Sequence, residues 1–119
     1  MDAIDFSAPE HAVAVAKILR LVKSPKRCQV TKRAMEDIVK LRLTKTAVLE
    51  AIQEHLEEQR TTYVLMQKMG IQAYVLLPCG VEPHELYVKV QLPPCQNPGG
   101  QETLVVISAH QPKYRLREE

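Results

Sequence analysis

A phenol at Tyr87, an ammonium at Lys89 and an imidazole at His110 are side chains from which metal-free cleavage of RNA can be assembled. Such cleavage needs a base to take the proton of the 2′-hydroxyl, an acid to protonate the departing 5′-oxygen, and cations to stabilise the charged phosphorane between them. Histidine has the unperturbed pKa for either proton transfer, so His110 is the candidate base or acid. Tyr87 is its candidate partner, or a platform on which a nucleobase stacks. Lys89, with Lys113 and Arg115 beyond His110, supplies charge for phosphate. Gln72 would orient the substrate; it shares a face with Tyr74, which could extend the same surface or belong to the core. An ordinary polar residue ending an edge strand has the same appearance as His110, so elements must be found that bring these groups together.

The run Leu86-Tyr87-Val88-Lys89-Val90-Gln91-Leu92 alternates without a break. On a strand this sends Leu86, Val88, Val90 and Leu92 into a core and lines up Tyr87, Lys89 and Gln91 on the other face. Any half-buried antiparallel strand wets its outer face in this way, so the pattern fixes the face and not its use. Period-2 patterning also predicts strands over 62–68, 72–77 and 103–110, with Lys68-Met69-Gly70 as a hairpin turn. Longer connections are expected over 78–84 and over the Pro- and Gly-rich 93–100. Before Tyr63 the period is helical. Ser7-Ala8-Pro9-Glu10 reads as a capping box for a helix burying Ala12, Val15, Ile18, Leu19 and Val22, and Ser24-Pro25 ends it. Thr31 and Thr44 are further N-cap candidates, ahead of Met35, Ile38 and Val39 and of Val48, Leu49, Ile52 and Leu56. The expected fold is α+β, with two or three N-terminal helices packed on a four-stranded, mainly antiparallel sheet.

At 119 residues the chain fits a single domain spanning 1–119, with 1–8 and 115–119 as flexible ends. The formal net charge of +2 is no global signal for nucleic acid, but its distribution is uneven. Residues 17–45 carry ten Lys and Arg against Glu36 and Asp37 alone, while Glu50, Glu54, Glu57 and Glu58 make an acidic flank. The three cysteines form no C-x-x-C pair and leave an odd thiol under any pairing, which points to a reducing cytoplasm. Cys79, His84, Cys95 and His110 match no zinc spacing, so neither metal nor cofactor is expected. No apolar run approaches the ~20 residues of a membrane span, and no P-loop, dinucleotide fingerprint, H-E-x-x-H or G-x-S-x-G motif is present.

The helix with AKILRLVK, the T-K-R-A-M turn into a second helix, the L-x-L-T helix, and then ELYVKVQL followed by TLVVISAHQ resemble the MqsR-like branch of RelE-type toxins, small bacterial endoribonucleases of toxin–antitoxin systems. The likeness covers about Ala16 to Lys113 in element order and is close in residues around Tyr87-Val88-Lys89-Val90 and Val105-Val106-Ile107-Ser108. It implies a RelE-like sheet, metal-independent cleavage of mRNA, free or on the ribosome, and neutralisation by a cognate antitoxin. The family's strand tyrosine falls on Tyr87 and its preceding glutamine nearest Gln72. Its early lysine has only Arg60 or Lys68 nearby, and the lysine after its last strand has no clean counterpart. The alternative is a non-catalytic protein- or RNA-binding domain that uses the open sheet face or a strand edge.

Overall fold

The computed structural model describes residues 3–66, 71–93 and 102–112. Helices α1 (Pro9–Val22), α2 (Lys32–Lys40) and α3 (Lys45–Glu57) accompany strands β1 (Cys28–Val30), β2 (Thr62–Met66), β3 (Gln72–Val81), β4 (His84–Gln91) and β5 (Leu104–His110). The sheet order is β1-β5-β4-β3-β2, with β1 parallel to β5 and every other pair antiparallel. The architecture is α+β, and the sheet has five strands rather than the expected four. The extra strand is Cys28–Val30, too short for its alternation to register and paired with β5 far along the chain.

The caps of α2 and α3 follow from their sequence. Thr31 Oγ1 accepts from the amide of Ala34 at 3.2 Å, and Thr44 Oγ1 from that of Ala47 at 3.1 Å. Ser7 does not cap α1. Its hydroxyl and its amide both donate to Asp5 Oδ1, and α1 begins at Pro9 behind Ala8 without a side-chain cap. The preceding segment is fastened to the sheet: Ile4 N–H donates to Thr62 carbonyl at 2.7 Å, and Ala3 bridges Tyr63 on the outer edge of β2.

Ile18, Ile38, Ile52, Leu76, Leu86, Val88, Val90, Leu104 and Val106 are fully buried between the helices and one face of the sheet. Leu86, Val88 and Val90 lie on the side the alternation assigns them, with Tyr87, Lys89 and Gln91 opposite and half-buried. The expected long connection over 78–84 is instead mostly strand. Strand β3 runs on to Val81, with Val81 paired to His84 across Glu82-Pro83. The turn expected at Lys68-Met69-Gly70 lies outside the described residues.

Candidate functional site

Two irregularities in the sheet build the site around Tyr87. In β3, Leu76 pairs with Val88 and Cys79 with Leu86, so Leu77 and Pro78 together stand opposite Tyr87. Pro78 has no N–H to give to a ladder, and a bulge accommodates it. In β5, Ser108 pairs with Lys89 while Val106 pairs with Val90, which leaves Ile107 as an extra residue. The second bulge decides where His110 goes. In an unbroken strand Leu104, Val106, Ser108 and His110 share one face, the core face. The extra residue reverses the parity, so that Ala109 is fully buried and His110 emerges beside Tyr87 on the face away from the helices.

The result is a ring pair. Tyr87 and His110 are cross-strand partners whose centroids lie 5.1 Å apart with 11° between planes, a stacked contact. His110 Nδ1 lies 2.7 Å from the carbonyl oxygen of Gln111. A carbonyl only accepts, so Nδ1 carries hydrogen and donates, and in the neutral ring Nε2 holds the free lone pair. Burial pushes the Tyr87 phenol above its ordinary pKa, so it stays protonated and can donate at neutral pH. Lys89 and Ser108 face each other one row along the strands, on the same face. A base, a hydroxyl acid and an ammonium thus share one patch.

The remaining predicted groups fall elsewhere. Gln72 belongs to the opposite face. It accepts from Tyr74 Oη at 3.3 Å, and Tyr74 is buried on the core side, where its hydroxyl also meets His11 Nδ1 at 3.1 Å. The parity that puts Tyr74 in the core carries Gln72 with it, so Gln72 cannot orient a substrate at Tyr87. Arg60 sits between α3 and β2, two strands from β4, and its guanidinium is held by Glu58 at 2.7 Å. Lys68, Lys113 and Arg115 lie outside the described residues. Sequence reasoning passed over His11, whose spacing to Val15, Ile18 and Val22 puts it on the buried stripe of α1 and could have marked it as a polar core residue.

Among the described residues no group of three or more His, Cys, Asp or Glu is placed to hold a metal ion. No helix among them is long and apolar enough to cross a membrane. Comparison with protein-family models, curated proteins and solved structures finds no match to the chain.

Proposed function

We propose that the sheet face opposite the helices binds single-stranded RNA and cleaves it without a metal ion, in the manner of an MqsR- or RelE-like toxin. The observation that carries this reading is the bulge at Ile107, which turns His110 out of the core and stacks it on Tyr87. Bulges re-aim side chains in this way next to active sites. His110 Nε2 takes the proton of a 2′-hydroxyl as that oxygen attacks the phosphorus. Tyr87 donates its proton to the departing 5′-oxygen, the P–O5′ bond breaks, and a 2′,3′-cyclic phosphate remains. Lys89 stabilises the pentacoordinate charge. In this reading the substrate is mRNA, the setting is the cytoplasm, and a cognate antitoxin covers the face to silence it.

The test uses purified protein and a short single-stranded RNA. His110→Ala should lower the cleavage rate by roughly 10²–10⁴-fold with little change in affinity. Lys89→Ala should lower the cleavage rate as well, through the lost charge stabilisation, and should also weaken binding and flatten its salt dependence by about one unit of slope. Parent-like cleavage by His110→Ala would refute the assignment. A protein that neither binds nor cuts RNA would favour a docking module, the second reading. That reading has its own support in a shallow groove beside edge strand β1, lined by Val30, Met35 and Val39 with Lys32, Glu36 and Lys40.

A further inference from the structure

Stacking on His110 occupies one face of the Tyr87 ring, so the aromatic best placed for cleavage is poorly placed to hold a nucleobase. Phe6 packs against the core and Tyr74 is buried within it, which leaves Tyr63 as the other aromatic of the helix-free face among the described residues. Register puts it there. Tyr63 pairs with Val75, Val75 with Lys89 and Lys89 with Ser108, so the four side chains form one row across β2, β3, β4 and β5. Val75 points to this face but is fully buried, so the row offers a ligand a half-buried ring at one end and an ammonium near the other. From strand spacing and rise, the Tyr63 backbone lies roughly 12 Å from that of Tyr87, two strands over and one row along.

We infer that Tyr63 is a second subsite, a stacking platform for a nucleobase beyond the two flanking the cleaved linkage, whose phosphate Lys89 holds in the same row. The inference rests on the RNA reading above. Aromatic residues spread over neighbouring strands of one sheet face can stack two or three successive bases, and such stacking is tolerant of sequence because every base has a π-face. The bound strand then crosses the sheet from β5 toward β2 rather than following β4.

The experiment compares the parent protein with Tyr63→Leu and Tyr63→Phe. The probes are a 2′-O-methyl oligoadenylate hexamer, which cannot be cut, and the corresponding dinucleotide. Tyr63→Leu should bind the hexamer roughly 5- to 150-fold more weakly, the range that loss of one stacked base gives. Tyr63→Phe should match the parent, and dinucleotide affinity should be the same in all three. Unchanged hexamer affinity in Tyr63→Leu overturns the subsite. So does an equal loss in Tyr63→Phe, which would assign the effect to the hydroxyl, or an equal loss for the dinucleotide, which would make Tyr63 a general support of the face. Failure of the parent to bind either probe would remove the RNA reading itself, a result distinct from all of these.

Discussion

Cys79 offers a sharp test of the packing behind the site, because it immediately follows the Leu77-Pro78 bulge and is fully buried against Leu86. Burial pushes its thiol from 9.0 up to about 12, with Arg60 pulling weakly the other way. The sign follows from which state ionises first. As pH rises above 9 the unfolded chain releases this proton while the folded chain keeps it, so the group's contribution to stability is complete below pH 9 and is lost toward pH 12. At pH 11, two units above the unfolded value, one such group costs about 3 kcal/mol. Cys79→Ala removes the titration and leaves a small void, at a cost of about 1 kcal/mol at neutral pH. Urea unfolding at pH 8 should find the parent more stable, and at pH 11 the alanine variant should be ahead by more than 1 kcal/mol. Cys28, Tyr74 and Tyr87 are also shifted upward by burial, but they are common to both proteins and drop out of the difference. Parallel stability curves across this range would show that the Cys79 thiolate is not excluded from the fold and that the bulge region opens.

Two further outcomes follow from local geometry. Thr31→Ala and Thr44→Ala should each cost about 1 kcal/mol in urea unfolding, because each hydroxyl accepts from an otherwise orphaned helix amide. Ser7→Ala should stay within about 0.5 kcal/mol, since that hydroxyl bonds only an exposed Asp5; a loss equal to the threonine variants would restore the capping box. His55 is buried, with Nε2 at 2.8 Å from the carbonyl of Thr61, and desolvation lowers its pKa below 6.5. Its contribution to stability is therefore present above pH 6.5 and lost as pH falls, and His55→Gln should flatten the decline between pH 7 and pH 5 in equilibrium unfolding; an unchanged slope would place the acid sensitivity elsewhere.

Much of the fold is local enough to read from residues. The Thr31 and Thr44 caps act over three residues, and the alternation through Leu86–Leu92 sorts β4 between its two faces without reference to the rest of the chain. Ser7 fails the same reasoning because Asp5, two residues back, offers a nearer acceptor than the helix offers donors. Strand β1 fails for a different reason. Three residues cannot display a period, and Cys28-Gln29-Val30 become a strand only because Leu104-Val105-Val106 lie alongside. That pairing spans 76 positions and leaves no mark between them.

The site divides along the same line. Tyr87 and Lys89 share a face by simple parity, which sequence supplies. Gln72 is lost to the site by parity as well, once Tyr74 is known to be buried. His110 joins Tyr87 only through the bulge, and Val105-Val106-Ile107 contains no glycine or proline to announce one. The extra residue arises from competing demands on β5. Leu104 and Val106 must enter the core against β1 and β4, and Ala109, small enough to sit over Val88, must enter it three residues later instead of two or four. A strand cannot bury Val106 and Ala109 together without gaining or losing one residue of register. The apolar demand at Ala109 thus carries His110 to the outer face, and the position of the imidazole is a consequence of core packing on the other side of the sheet.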